Sequence, residues 1–317
     1  MLALYFDNKL ELRDLPRPEP RPGEVLILVR FAGVCRTDLE VLKGYHGFRG
    51  VPGHEFVGEV VGPPDTPWLN CRVVGEINVA CGQCPWCQAG LAHHCRERQA
   101  LGLKERNGAF AQYLTLPAAN LHPVPAEVAD DAAVFTEPLA AALQVLETAA
   151  LPPSSRVLVV GDGSLGLQVS WILALNGAAV HLVGHYPQQL ELARAKGVAA
   201  YLEKELTETD FDAVVEASGS PRGLDLALSR VRPRGTVVLK STYQGRYPLN
   251  TADLVVPEVR LLGSRCGPFA AALRLLKQGW IDPCPLIYRR YPLAQGVEAL
   301  AYAQEKGVLK VLLECGE

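Results

Sequence analysis

The chain has 317 residues, room for two domains at roughly 100–200 residues each. With 49% hydrophobic and 21% charged residues it has the balance of a soluble protein with a packed core, and a net charge of −3 without a clustered Lys/Arg run offers no footprint for a phosphate backbone. The opening MLALYFDNKLELRD is too acidic for a signal peptide and no run approaches the ~20 apolar residues of a membrane span, so no membrane or nucleic-acid partner is expected, and the expected location is cytoplasmic, where cysteines stay reduced.

From residue 24 to about 125, short strands are broken by Gly and Pro. EVLILVRFAG sets Val25, Ile27 and Val29 on one face, FVGEVVG repeats the alternation and AFAQYLTLP reads as another strand, which predicts an all-β, barrel-like or open-sheet region. Two stretches within it, GVCRTDLE (33–40) and GHEFVGEV (53–60), contain Cys35 and His54, a sulfur and a nitrogen suited to zinc. A carboxylate would complete three protein ligands and leave one position open, although a His-Glu pair between glycines also fits a capped turn. The stretch CGQCPWCQAGLAHHC (81–95) spaces its cysteines C-x2-C-x2-C-x7-C. A disulfide knot, an iron–sulfur or redox site, a nucleic-acid zinc knuckle and a structural zinc lobe are all candidates; the spacing favours metal, because disulfides here would close very short loops. Cys71, Cys266, Cys284 and Cys315 are scattered, and a lone cysteine ordinarily serves as a small buried hydrophobe.

DDAAVFTEPLAAALQVLETA has helical spacing behind an acidic start. After the breaker LPPSS, strand and helix alternate through RVLVVGDG, SLGLQVSWILALNG, AVHLVG, PQQLELARAKG, DAVVEASG, GLDLALSRV, GTVVLKS and VRLLGS, the pattern of a doubly wound parallel sheet. Gly161, Gly163 and Gly166 stand in G-x-G-x-x-G register behind the first of these strands, with Ser164 and Leu165 opening the helix, as dinucleotide pyrophosphate binding requires. The tail (FAAALRLLKQG, LIYRRYPL, QGVEALAYAQEKG, VLKVLLEC) is too short for a domain of its own and is expected to complete the first one. The expected domains are 1–147 with 266–317, and 148–265.

GVCRTD, GHE, the four-cysteine lobe, TEPLA and GDGSLG occur in this order in the zinc-dependent medium-chain alcohol dehydrogenases, which the chain resembles over nearly its whole length. It is most similar to the branch of polyol, sugar and threonine dehydrogenases, whose members often have Glu-Pro where others have a cysteine ligand. The resemblance implies a Rossmann domain beside a mainly β, GroES-like catalytic domain. It implies that Cys35 and His54 bind catalytic zinc, with Glu137 as third ligand or close behind it, and that Glu55 binds the metal transiently. Thr37 would take the alcohol proton, Asp38 would orient His54 through its second ring nitrogen, and Arg36 would meet the cofactor pyrophosphate. Cys81, Cys84, Cys87 and Cys95 would form a closed structural zinc site, giving two zinc ions per chain.

Two departures from the family stand out. Glu40 takes the place of a histidine that passes the proton to solvent in many relatives, and is either a relay or a solvated acid. The segment 62–82 is compressed, with Ile77 and Asn78 expected to line the pocket.

The implied reaction is hydride transfer between an alcohol (polyol, sugar or secondary alcohol) and NAD(P), in a cleft that closes against water. A catalytically silent zinc- and nicotinamide-binding protein is the alternative, opposed by the presence of Thr37, Glu55 and Glu137. A nucleic-acid knuckle would want basic residues, and CGQCPWCQAGLAHHC has no Lys or Arg. A homodimer or homotetramer built on an exposed edge of the nucleotide sheet is implied as well. Besides the glycine motif, cofactor contacts are expected at Gly184, His185, Tyr186 and Ser218. NAD sites usually carry an acid about 20 residues beyond the glycines. AVHLV ends instead at Gly184, so NADP is favoured over NAD.

Overall fold

The alternating strands of the N-terminal half form as the period-2 pattern predicts. In the computed structural model, which describes residues 1–44, 47–242 and 246–316, β1 (Leu2–Asp7) and β2 (Lys9–Asp14) make an antiparallel hairpin. They are followed by β3 (Glu24–Val34), α1 (Arg36–Val41), β4 (Glu55–Gly62), β5 (Arg72–Gly75), β6 (Asn78–Val79), α2 (Pro85–Gln88), β7 (Gln99–Leu101), β8 (Glu105–Arg106), β9 (Tyr113–Pro117) and β10 (Leu121–Pro123). Val25, Ile27 and Val29 of β3 are buried in a core shared with Phe56, Phe110 and Leu116.

The helix expected from Asp130 is two helices, α3 (Asp130–Ala133) and α4 (Thr136–Ala149). Pro138 explains the break. Its ring would collide with the Val134 carbonyl in a continuous helix, whereas in the first turn of a new one its missing N–H is harmless.

The second half follows the strand–helix alternation: β11 (Arg156–Val160), α5 (Ser164–Leu175), β12 (Ala179–Gly184), α6 (Pro187–Arg194), β13 (Ala199–Leu202), β14 (Phe211–Glu216), α7 (Pro221–Arg230), β15 (Val231–Leu239), α8 (Ala252–Val255) and β16 (Arg260–Gly263). The strands form one sheet in the order β13-β12-β11-β14-β15-β16, with every pairing parallel. The strand pattern in the sequence misses β13, because AAYL is short and poor in β-branched residues.

After α9 (Phe269–Lys277) come β17 (Ile287–Pro292), α10 (Gly296–Ala303) and β18 (Lys310–Glu314). β18 pairs antiparallel with β3, completing a seven-stranded sheet in which β10-β5-β4-β3-β18-β17 run in order and β9 also pairs with β3. The chain forms two compact units, Met1–Glu137 with Leu273–Glu317, and Pro138–Ala272. The divisions fall inside α4 and α9, where the sequence reading placed them at 147/148 and 265/266. No helix among the described residues is long and apolar enough to cross a membrane.

Candidate metal centres and cofactor loop

Strand register brings the first ligand set together. β3 and β4 pair with Gly33 opposite Glu55, so Cys35, just past the end of β3, and His54, just before β4, meet at one end of the pair. A side chain at 33 could not be accommodated, since a Cβ there would lie 2.6 Å from Glu55 Oε2. Cys35 caps α1, and Asp38 in its first turn is fully buried. One Asp38 oxygen accepts the Cys35 amide at 2.9 Å, and the other lies 3.0 Å from His54 Nδ1. That contact occupies Nδ1 and leaves Nε2 of His54 as the ring nitrogen available to a metal, the arrangement that orients metal-binding imidazoles.

Donor atoms of Cys35, His54 and Glu55 lie within 4.8 Å of one another. Glu55 is 1% exposed, and its Oε1 is buried without a hydrogen-bond partner. An orphaned buried carboxylate oxygen beside a thiol and an imidazole is what a cation would satisfy. Burial disfavours a charged His54, yet Asp38 and Cys35 outweigh it and hold its pKa well above the ordinary histidine value. The surroundings therefore favour positive charge, and zinc fits this donor set.

Lys310, which the sequence reading missed, supplies such a charge. It opens β18 beside the end of β3, is 3% exposed, and its Nζ bonds Glu55 Oε2 and sits 5.5 Å from the Phe135 ring centroid. Burial pulls its pKa down, and the Glu55 and Cys35 charges more than reverse that, leaving it raised. The signal was a lone lysine in the otherwise apolar VLKVLL. Lys310→Met leaves Glu55 buried and unpaired, so a loss of about 3–5 kcal/mol is expected as a lowered urea midpoint, with Glu55→Gln in the same chain recovering much of it.

The remaining candidates are spread more widely. Thr37 is half-buried in α1. Arg36 is exposed and stands 3.8 Å from Glu40, which also pairs with Lys43 at 2.8 Å. Glu40 is half-buried and faces both of these cations. Glu137, in the first turn of α4, is half-buried and lies outside the three-residue cluster. Ile77 packs on the core, and the Asn78 side chain meets His93 at 3.4 Å.

The second ligand set is Cys81, Cys84, Cys87 and Cys95, all free thiols whose sulfurs lie within 4.8 Å of one another. Three of the separations are 3.5, 3.6 and 3.9 Å. A tetrahedral thiolate site with Zn–S of about 2.3 Å has sulfurs about 3.8 Å apart, so the four are spaced for zinc. Cys84 caps α2 with Pro85 behind it, and pairing of β6 with β7 clamps the base of the loop.

In the other unit, Gly161 (φ +114°) turns the chain out of β11, Gly163 caps α5, and Ser164, Leu165 and Gly166 form its first turn. Ser218 donates to Glu216 Oε1 at 2.5 Å. Gly184 ends β12, followed by exposed His185 and half-buried Tyr186. A Cβ on Gly184 would lie 2.3 Å from the Asp162 carboxylate carbon, so an acid is already present where the sequence shows none. Gly184→Asp has no room.

Residues 21–126 match the alcohol dehydrogenase GroES-like domain, and residues 164–278 match the zinc-binding dehydrogenase domain. The chain is 32% identical to L-galactonate-5-dehydrogenase of Escherichia coli, over 98% of its own length and 96% of that protein's. The chain belongs to the zinc-dependent medium-chain alcohol dehydrogenases. The dehydrogenase superposes with a TM-score of 0.90 on a zinc-binding dehydrogenase from Sinorhizobium meliloti bound to NADP, at 27% identity, covering 99% and 98% of the two chains. An Escherichia coli alcohol dehydrogenase complexed with NADH gives a TM-score of 0.91 at 25% identity, covering 99% of both. The protein is an alcohol oxidoreductase.

Proposed function

We propose that this dehydrogenase oxidises a polyol, a sugar-derived alcohol or another secondary alcohol with NAD(P), using one zinc ion at Cys35 and His54 and a second in the four-cysteine lobe. The observation that carries the reading is the buried cluster of Cys35, His54 and Glu55, with His54 held by Asp38. When bound, zinc supplies Lewis-acid polarisation of the alcohol oxygen and the nicotinamide accepts the hydride. Asp38 keeps Nε2 of His54 available to bind, Thr37 relays the hydroxyl proton by taking it as its own hydroxyl proton passes on towards solvent, Glu55 offers its unpartnered oxygen during ligand exchange, and Lys310 balances the carboxylate charge.

In this reading the unit containing Cys35 and His54 is the catalytic domain. The unit containing Gly161 is the dinucleotide-binding domain, with pyrophosphate at the start of α5 and Ser218 as a further contact. Nine free thiols, five of them needed as zinc ligands in this reading, support a reducing, cytoplasmic setting. β16 is one of the two edge strands of the parallel sheet, and Val255 and Val256, at the end of the α8 turn that leads into it, are 72% and 81% exposed, which supports a homodimer or homotetramer. The expectation of NADP over NAD rests on the absence of an acid at the end of β12, and Asp162 removes that ground.

The test is reduction of NAD+ or NADP+ by zinc-replete protein across a panel of polyols, sugar acids and secondary alcohols, followed by absorbance. No turnover with any of them would leave the silent binder.

Glu137 is proposed as third ligand or close support. Glu137→Gln is expected to lower zinc retention on dialysis and activity together. Unchanged zinc and unchanged rate would leave Glu137 only a first-turn acid favoured by the helix dipole.

A further inference from the structure

We infer that Asp162, the middle residue of Gly161-Asp162-Gly163, is the determinant of cofactor choice and selects NAD against NADP. The inference rests on the dinucleotide reading of this loop. Asp162 is 5% exposed, and its carboxylate fills the space that a side chain at 184 would occupy, Oδ2 lying 2.4 Å from a Cβ placed there. The acid that ordinarily comes from the end of the second strand is delivered to the same place from the glycine loop.

Oδ2 accepts the amides of His185 at 2.8 Å and Tyr186 at 2.7 Å. Consecutive backbone N–H groups of this kind form an anion-binding concavity, and here a built-in carboxylate fills it. Both bonds land on Oδ2, which leaves Oδ1 to accept from a ribose hydroxyl. A 2′-phosphate would find the amides taken and a like charge, weakly screened by its burial, in front of it.

One feature pulls the other way. His185, Lys204 and Arg222 help line a cavity of about 430 Å³ beside Gly184. Their pull is weaker, because the Arg222 and His185 side chains are 84% and 68% exposed and Glu203 already stands 3.2 Å from the first and 4.0 Å from the second. Exposed side chains, two of which already face Glu203, count for less than a buried carboxylate fixed by two amides.

The experiment is calorimetric titration of folded, zinc-replete protein with NAD+ and with NADP+. The parent is expected to bind NAD+ at least tenfold more tightly. Asp162→Asn keeps an oxygen for the amides and loses the charge, so the ratio of the two dissociation constants should move at least tenfold toward NADP+. The double variant Asp162→Gly/Gly184→Asp also removes the Asp162 Cβ, which would lie 2.4 Å from a Cβ at 184, so it returns a carboxylate to the same space from the other strand and should restore NAD+ preference, which keeps the test decisive if Asp162→Asn folds poorly. A parent that prefers NADP+, or a folded Asp162→Asn protein with the parent's ratio, overturns the inference. Failure of folded parent to bind either nucleotide overturns the dinucleotide reading and this inference with it.

Discussion

Cys87→Ala is expected to lower the melting temperature and soluble yield sharply and to reduce zinc from two ions per chain to one. Between residues 81 and 98 only Cys95 is buried, while Trp86 and Leu91 are 41% and 43% exposed, so the lobe has almost no apolar core. Local backbone bonds and the β6–β7 clamp at its base are little to hold such a loop without a cross-link, and its four thiols are free rather than joined as disulfides. Structural zinc contributes on the order of 10 kcal/mol in small domains, so loss of one ligand is felt as folding energy. Because four thiolates would close the coordination sphere, a zinc ion held there would have no open position for substrate, and the folded fraction of Cys87→Ala should keep its turnover per remaining zinc. Differential scanning calorimetry with metal analysis checks both points. A variant that melts like the parent with two zinc ions would remove the lobe's structural role.

The contrast between what the sequence shows and what it hides follows from distance along the chain. The four-cysteine lobe is legible because its ligands lie within fifteen residues, and thiols at such spacing have few other uses. Cys35 and His54 are nineteen positions apart and require the β3–β4 register to meet, yet each sits in a recognisable local motif. Lys310 has no such motif. It reaches Glu55 across 255 positions, and only the return of β18 to the edge of β3 puts the two together. Asp162 is hidden for another reason: reading the acid at the end of β12 as a property of position 184 assumes that the side chain comes from that strand, and a neighbouring loop fills the same space. The break before α4 was legible in principle, since Pro138 forbids a continuous helix from Asp130. Apolar periodicity across the junction masked it.

Cys35→Ala should reduce kcat/KM for the best alcohol on the order of a thousandfold or more while leaving the melting curve and nucleotide affinity near those of the parent. Lewis-acid polarisation is worth several kcal/mol in the transition state, and each 1.36 kcal/mol is about tenfold in rate. The fold is insulated from the change because the Asp38 bond at this position is made by the Cys35 backbone amide, which alanine keeps. His54→Ala should abolish turnover equally but destabilise more, since it strips a partner from Asp38, which is 0% exposed, at about 1–3 kcal/mol. The two variants therefore separate catalysis from stability at a single site: equal losses of rate with unequal urea midpoints. Both are expected to retain the zinc of the four-cysteine lobe, so metal analysis should find one ion rather than none. A Cys35→Ala protein that turns over at the parent's rate would show that the cluster at the end of β3 is not where the alcohol is oxidised.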